Sequence, residues 1–357
     1  MPANPDRRQP RESKILAAQE LDLGRRTNTI AIYQEGNAGG WAPSCFGRQV
    51  GTLTCFDGLA AENSLPEGSL RVMPEKTTLP VMARLAVLPD RGVIEVSGED
   101  RATFLQGLVS NDVTQATPEN AIWGALLTPQ GKYLADFFIF AEADRLLLDC
   151  ELAQVPALIQ RLSRFRLRSK VTLRAAEEYR IYAAWDGTPA VNALCAPDPR
   201  LPDAGWRLLS VDSLPTTALT IDWDRHRLPL GLPDGTRDLE PEKTVLLEAG
   251  FDELHGISWT KGCYMGQELT ARTKYRGLVK RRLCPVIIAG DLPTSGTPVT
   301  SNGTEVGTMR SGRDQFGLAL LRTEALYDKL ACSGATLTAR IPAWMSLPEP
   351  TAKASQG

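Results

Sequence analysis

The sequence predicts an α+β fold in which helices cover antiparallel sheets, followed by a small C-terminal β-barrel. Between residues 85 and 185, pairs of strand-like segments alternate with segments of helical spacing. After Arg282, short apolar segments separated by Gly, Asn and Ser recur at about ten-residue spacing, which is typical of a barrel. A doubly wound nucleotide-binding sheet is disfavoured because neither a Gly-x-Gly-x-x-Gly motif nor a P-loop is present.

Local periodicity predicts the elements of the first region. Residues 92–96 (GVIEV) alternate apolar and polar side chains as a half-buried strand does, and residues 100–109 place apolar side chains on one helical face. WGALLTP and YLADFFIF are predicted to be strands joined by a Pro-Gln-Gly turn, in which Gly131 can adopt a positive φ. Helical spacing returns at residues 154–166. We therefore expect hairpins covered by helices.

The composition divides the 357-residue chain into four regions. The first 80 residues are punctuated by Gly, Pro and Asn and lack apolar periodicity. Met82 opens a stretch typical of a domain start, so the alternative is that the first 80 residues are a start-site artefact. A targeting role for them is disfavoured because acidic residues interrupt the basic ones. We expect a disordered extension (1–80), two α+β modules (82–282), a β-barrel (283–345) and a flexible tail (346–357).

Charge and cysteine content predict a cytoplasmic protein. The formal net charge of −2 gives no overall attraction to nucleic acid, and the chain has neither a membrane-length apolar run nor a secretory signal, so no membrane partner is expected. The seven cysteines include no Cys-x-x-Cys pair, which favours a reducing compartment over a disulfide framework. They are Cys45, Cys55, Cys150, Cys195, Cys263, Cys284 and Cys332.

Residues 259–282, here called the cysteine segment, carry the most informative chemistry. Cys263 lies between two glycines, just before a predicted helix that begins near Gly266. The segment contains seven Lys or Arg residues and one acid, Glu268, and such a field favours the thiolate that attacks electrophiles or binds soft metals. The alternative is a small buried cysteine, which is the reading we give to the other cysteines of the folded region.

Five runs of sequence carry a resemblance to a known family. They are KGCYMGQE (261–268), ARTKYRG (271–277), FLQGLVSNDV (104–113), LTPQGK (127–132) and LEAG (247–250). These runs, and their order along the chain, resemble the signature of YgfZ-type folate-binding proteins, which are related to the aminomethyltransferase of the glycine cleavage system. The resemblance covers residues 85–345, and the N-terminal extension falls outside it.

The resemblance implies an aminomethyltransferase-like ring of three modules with tetrahydrofolate bound at its centre. It further implies a role in assembly or repair of iron–sulfur clusters, including those of enzymes that modify tRNA, with Cys263 as the functional thiol in transient contact with a cluster. The expected partners are folate and iron–sulfur client or assembly proteins. The LEAG run is closer to the aminomethyltransferase than to some relatives, which leaves one-carbon chemistry open.

A folate ligand requires a carboxylate for its pterin, a stacking surface and cations for its glutamate tail. Glu248 is the candidate for the pterin edge, and its alternative role is a solvated carboxylate. Asn111 and Asp112 either face the central cavity or cap a turn. The complete set of expected folate contacts is Asn111, Asp112, Glu248, Tyr264, Gln267, Glu268, Arg272, Lys274 and Arg276, with Trp259 as a further aromatic candidate.

Two other functions remain open. One is a folate-dependent aminomethyltransferase or demethylase in which Asp112 or Asp136 orients the one-carbon donor. The other is an RNA-binding protein that uses both basic clusters, the run between residues 161 and 170 and the cations of the cysteine segment. The acidic net charge and the lack of an RNA-binding motif make direct nucleic-acid binding the weaker hypothesis. The two histidines, His226 and His255, form no metal-binding motif, so no metal site is expected.

Overall fold

The computed structural model describes residues 82–347, and the expectations for residues 1–80 and 348–357 lie outside this range. The described segment contains fifteen strands and four α-helices. In chain order the strands are β1 (Arg84–Val87), β2 (Arg91–Ser97), β3 (Ile122–Leu127), β4 (Tyr133–Ala141), β5 (Arg145–Glu151), β6 (Thr172–Ala175), β7 (Arg180–Trp185), β8 (Leu194–Pro197), β9 (Trp206–Ser210), β10 (Arg281–Ala289), β11 (Pro298–Ser301), β12 (Thr304–Arg313), β13 (Phe316–Arg322), β14 (Leu330–Cys332) and β15 (Ala335–Ala339). The helices are α1 (Arg101–Gln106), α2 (Val155–Ser163), α3 (Thr220–Leu230) and α4 (Gln267–Tyr275).

A five-stranded antiparallel sheet in the order β3-β4-β5-β2-β6 forms the first module. Strand β4 is buried along nearly its whole length because both faces of the sheet are covered. Phe137 and Ile139 share a core with α1 and α2, whereas Phe138 and Phe140 point into a second core on the opposite face. The predicted strands and covering helices are confirmed, and Gly131 in the turn before β4 has the expected positive φ of 78°. The half-buried character expected of residues 92–96 is wrong, because β2 is central in the sheet and is buried on both faces.

The first strand of the described chain belongs to a different sheet. β1 lies antiparallel to β7, with Leu85 opposite Ala184, in a four-stranded sheet of order β1-β7-β9-β8. Only residues 88–90 separate β1 from β2, so the chain passes from one sheet to the other within a single turn. The two α+β modules are therefore interleaved in sequence.

The C-terminal strands close into a six-stranded barrel in the order β10-β13-β12-β11-β14-β15, and β10 pairs with β15 to complete it. The predicted barrel is confirmed, and its first strand begins at Arg281, slightly before the expected boundary at residue 283. Both sheets, α3 and the barrel contribute to one shared core, which includes Trp123, Trp185, Leu228 and Leu318. Within residues 82–347, every helix is too short or too polar to span a bilayer.

Candidate functional site

Cys263 lies in an exposed loop immediately before α4, and residues 261–266 are called the cysteine loop below. Gly262 has a φ of 95° and Gly266, which precedes the helix, has a φ of 83°. Glycine adopts these left-handed conformations at little cost, so the chain can turn sharply on both sides of the cysteine. The predicted start of the helix near Gly266 is confirmed.

The other cysteines of the described region have different environments. Cys150, Cys284 and Cys332 are buried and Cys195 is half-buried. Burial raises the pKa of the Cys150 and Cys284 thiols to about 12 and that of Cys195 to about 11. Cys263 is thus the one exposed thiol among residues 82–347.

Lys261 connects the cysteine loop, through hydrogen bonds, to the segment that follows α1. Its Nζ donates hydrogen bonds of 2.7 Å to the carbonyl oxygens of Val109 and Asn111, and lies 5.3 Å from the centre of the Tyr264 ring. Burial lowers the pKa of this lysine to about 8, although nearby Asp112 acts in the opposite direction. Sequence reasoning counted Lys261 only as one cation of the field and missed this role.

The fold neutralises part of the cation field that the cysteine segment was expected to provide. Three of its seven cations form ion pairs with carboxylates of residues 248–253: Lys274 with Asp252, Arg281 with Glu248, and Arg282 with Glu253. Arg272, Arg276 and Lys280 are exposed and form no ion pair with a carboxylate of the described region. The segment is acid-poor in sequence, but another part of the chain supplies its counter-charges.

Two of the expected folate contacts line a recess of about 620 Å³ beside the cysteine loop. Asn111 and Asp112 form one wall, and His255 and Trp259 contribute to the other. The Asn111 amide donates hydrogen bonds of 2.7 Å to the carbonyl oxygens of Trp123 and His255, so it joins the two walls.

The Asp112 carboxylate caps the short 3₁₀ helix that begins at Val113. One oxygen accepts hydrogen bonds from the Gln106 amide (2.8 Å) and the Thr114 hydroxyl (2.7 Å). Burial acts to raise the pKa of Asp112, but these hydrogen bonds outweigh it and hold the pKa below its usual value. A carboxylate that is ionised at neutral pH therefore stands at the recess wall.

Trp259 is held at the edge of the same recess. Its indole N–H donates to Asp252 (2.7 Å), its ring lies 4.1 Å from the Lys274 ammonium, and the Tyr275 ring meets it edge-on at 6.2 Å. Lys274 is thus committed to Asp252 and to Trp259. Asp252, Trp259 and Lys274 thus contact one another where the loop meets α4.

Four of the other expected contacts do not line this recess. Both carboxylate oxygens of Glu248 accept hydrogen bonds from Arg281 (3.2 and 3.0 Å). Tyr264 is buried in the shared core, which leaves no open ring face for stacking. Gln267 accepts a hydrogen bond from the Tyr264 backbone N–H at 3.2 Å, and Glu268 is exposed in the first turn of α4.

Asp136, the second carboxylate considered for one-carbon chemistry, lies inside the core. It accepts hydrogen bonds from the Trp123 indole (2.9 Å) and the Tyr133 hydroxyl (2.8 Å), and burial raises its pKa. It is 3% exposed, so a ligand in the recess does not reach it. In the range 82–347, no three His, Cys, Asp or Glu side chains come together as a metal site.

Comparison with known proteins decides the family. The model of the CAF17 C-terminal β-barrel domain matches residues 280–347. The chain is 35% identical over 298 residues to the mitochondrial iron–sulfur cluster assembly factor IBA57 of Homo sapiens, covering 72% of this chain and 84% of that protein. The chain belongs to the IBA57 family of iron–sulfur cluster assembly factors. The expected link to iron–sulfur cluster assembly is confirmed at this level.

Other members of the IBA57 family are similar to the chain over comparable lengths. The Mus musculus factor is 32% identical over 300 residues, covering 72% of this chain and 84% of that protein. The Mycosarcoma maydis homologue is 37% identical over 237 residues, covering 59% of each chain. These relatives are named as mitochondrial, which points to mitochondria and shows that the cytoplasmic expectation was wrong. Unpaired cysteines indicate a reducing environment but do not distinguish one reducing compartment from another.

The fold of this IBA57-family chain is similar to that of the glycine cleavage system aminomethyltransferase T from Bartonella henselae. The TM-score is 0.59 at 13% identity, covering 74% of this chain and 87% of that chain. At this identity the likeness concerns the fold alone. The predicted aminomethyltransferase-like fold is confirmed.

Proposed function

We propose that this IBA57-family chain is a tetrahydrofolate-binding accessory factor for iron–sulfur cluster assembly or repair, with Cys263 as its functional thiol. The observation that carries the proposal is the exposed position of Cys263, ahead of α4, in a region where the other described cysteines are buried or half-buried. A thiolate is a soft ligand suited to iron–sulfur clusters. From this loop Cys263 contacts a cluster that is held by a partner protein.

The recess beside the cysteine loop is the proposed tetrahydrofolate site. It offers the ionised Asp112 carboxylate for the donor edge of a pterin and the Trp259 indole as an aromatic wall. Arg272 of α4 and Arg276, which directly follows the helix, are exposed cations that can attract the glutamate tail. Lys261 links the two functions because it joins the Cys263 loop to Asn111 at the recess wall.

The proposed clients are iron–sulfur enzymes, including those that modify tRNA. In this role the chain acts on the client's cluster and not on the RNA itself. The family membership supports the cluster part of this proposal, and the choice of clients is open to direct test.

A matched pair of cysteine variants tests the proposal. Cys263→Ser and Cys195→Ser remove one thiol each, from the exposed loop and from a half-buried strand. In cells that lack the endogenous factor, we expect Cys263→Ser to lose rescue of iron–sulfur enzyme activity and Cys195→Ser to retain it. Both variants should melt near the wild-type temperature and bind tetrahydrofolate with wild-type affinity in calorimetry. Full rescue by Cys263→Ser would refute the role of the thiol, and absence of tetrahydrofolate binding by the wild type would refute the folate site.

A folate-dependent aminomethyltransferase is the second candidate function. It is favoured by the ionised Asp112 at the recess, in a fold similar to an aminomethyltransferase. Purified protein incubated with an aminomethyl donor and tetrahydrofolate would then produce methylene-tetrahydrofolate, and Asp112→Asn would abolish the product. Under the accessory-factor proposal we expect no product above the level without protein.

A further inference from the structure

A strongly basic loop lies on the first module, between α2 and β6. It comprises residues 164–170 (RFRLRSK) and is called the basic loop below. Four of its seven residues are cations and none is acidic. Lys170 pairs with Glu99 at 2.7 Å, but no salt bridge within residues 82–347 involves Arg164, Arg166 or Arg168. The arginines therefore remain available to an external anion.

Leu167 at the middle of the basic loop projects into water. Its side chain is 88% exposed and its backbone has a φ of 43°. Leucine rarely adopts this left-handed conformation, because its Cβ crowds the backbone there. Both the strained backbone and the solvated apolar side chain of Leu167 are unfavourable for the free energy of folding. This combination is typical of a contact surface.

A recess of about 770 Å³ adjoins the basic loop. Leu167 and Arg168 form one side, and Asp100, Thr103 and Phe104 at the start of α1 form the other. The Asp100 carboxylate is engaged, since it accepts a hydrogen bond of 2.7 Å from the Lys170 backbone N–H. The recess thus combines two apolar side chains, Phe104 and Leu167, with the cation Arg168 at its edge.

Helix α1 connects this recess to the loop that carries Cys263. Thr103 lines the recess, and Gly107 follows four residues later on the same exposed face. The Gly107 carbonyl accepts a hydrogen bond of 3.1 Å from the Met265 backbone N–H, two residues after Cys263. At about 1.5 Å of rise per residue, the path from Thr103 to Gly107 is roughly 6 Å. A protein seated in the recess can therefore also cover the cysteine loop.

We infer that the basic loop and its recess bind an acidic segment of the protein that brings the cluster to Cys263 or takes it away, with an apolar side chain of that segment in the recess. This inference rests on the proposed function for the identity of the partner. Arg168 at the recess and the other arginines of the basic loop suit carboxylates, and a desolvated apolar anchor is a common centre of a protein interface. The slightly negative net charge of the whole chain disfavours nucleic acid and anionic membranes as the partner of this loop.

The probe for this surface is a short synthetic peptide of glutamates flanking a central leucine, labelled with fluorescein. Its controls carry glutamine in place of glutamate, or glycine in place of leucine. By fluorescence anisotropy, the wild-type protein should prefer the glutamate–leucine peptide to both controls, and its affinity should fall as salt is added. The double variant Arg164→Gln/Arg168→Gln should lose roughly tenfold in affinity. Arg322→Gln, at an exposed arginine of the barrel, should bind as the wild type does.

Leu167→Gly separates binding from stability. Glycine accommodates the left-handed backbone, so this variant should melt at or above the wild-type temperature while binding the peptide more weakly. A structural role for Leu167 would lower the melting temperature instead. That result, or equal binding of the glutamate and glutamine peptides, overturns the inference.

Vesicles of phosphatidylserine and bulk tRNA test the other kinds of partner. If either binds in a way that the double arginine variant abolishes while the acidic peptide does not bind, the inference is wrong. Cys263→Ser should keep wild-type affinity for the peptide, because the thiol lies outside the docking surface. Rescue by Cys263→Ser would therefore refute the proposed function while the peptide measurements decide the docking surface independently.

Discussion

The sulfur of Cys263 is in solvent, whereas burial raises the pKa of the Cys195 thiol to about 11 and that of Cys150 and Cys284 to about 12. Alkylation requires both access and thiolate. With iodoacetamide near pH 8, we expect Cys263 to be modified first among the cysteines of residues 82–347. Mass spectrometry of tryptic peptides at successive times gives the order, and equally rapid labelling of Cys195 in the folded protein would contradict it.

At the level of single residues, sequence reasoning located the exposed cysteine but not its surroundings. The flanking glycines and the motif predicted that Cys263 is exposed in a loop. This was possible because the conformational freedom of glycine is a local property of the sequence. The partners of Lys261 are carbonyl groups about 150 positions away in the chain, and the carboxylates that neutralise Lys274 and Arg281 come from another loop. Such long-range pairs leave no trace in local composition.

The hairpin β3–β4 packs directly against the start of α4, and two glycines make the contact. A Cβ on Gly131 would lie 2.6 Å from the Gly266 carbonyl oxygen, and a Cβ on Gly266 would lie 2.5 Å from the Thr128 carbonyl oxygen. Real side chains do not approach backbone atoms this closely. The turn predicted from sequence therefore also supports the loop that presents Cys263.

Alanine at either glycine of this contact should destabilise the protein and displace the cysteine loop. Gly277→Ala is the matched control, because Gly277 also has a positive φ (60°) but has open space around its Cβ position. We expect a loss of about 1 kcal/mol for Gly277→Ala from backbone strain, and of about 2–4 kcal/mol for Gly131→Ala and Gly266→Ala, where the clash is added. Urea unfolding measures these values, and equal losses in all three variants would exclude the tight contact.

Among the elements, strands and the barrel were predictable, but α3 and the pairing of β1 were not. The apolar, β-branched and aromatic residues of β2 and β4 reflect burial on both faces of a sheet, so these strands are visible in the sequence. Helix α3 buries Asp224 and Arg227 together with Trp223 and Leu228, and it contains Pro229 near its end. The polar residues on its buried face remove the apolar stripe by which a helix is recognised.

The two sheets are joined by a buried ionic cluster around Asp149 of β5. Its carboxylate accepts hydrogen bonds from Arg91 of β2 and from Arg207 of β9, which belongs to the second sheet. The guanidinium of Arg207 also lies 4.4 Å from the centre of the Phe138 ring. Asp149 is fully buried and forms an ion pair with each arginine, and Arg91 also pairs with Asp234 at 3.3 Å.

Removing the charge of Asp149 should strongly destabilise the whole molecule. Asp149→Asn keeps the shape of the side chain but leaves two buried guanidinium groups undercompensated, for which we expect a loss of about 3–5 kcal/mol. Asp144→Asn, at an exposed position in the same hairpin, should change the free energy of unfolding by less than about 0.5 kcal/mol. A small effect of Asp149→Asn in urea unfolding would show that the sheets are held by apolar packing alone.

A second buried carboxylate makes the stability depend on acid pH. Burial alone would raise the pKa of Asp198, but attraction to Arg200 and hydrogen bonds from it lower the pKa below its usual value. Below about pH 4 the unfolded chain takes up this proton before the folded chain does, so the contribution of Asp198 is full above pH 4 and lost as the pH falls. The difference in unfolding free energy between the wild type and Asp198→Asn should therefore shrink below about pH 4. A difference that stays constant down to pH 3 would exclude this linkage.

Local patterns in the amino-acid chain were sufficient for the fold class, the C-terminal barrel, the turn at Gly131 and the presented Cys263. Each of these depends on backbone preferences or on the periodicity of neighbouring side chains. Three-dimensional packing alone decided the transfer of β1 to the second sheet, the partners of Lys261 and the neutralisation of the cation field. Each of these features depends on contacts between groups that are far apart in the chain. Such contacts become favourable only when folding removes competing water and brings opposite charges together.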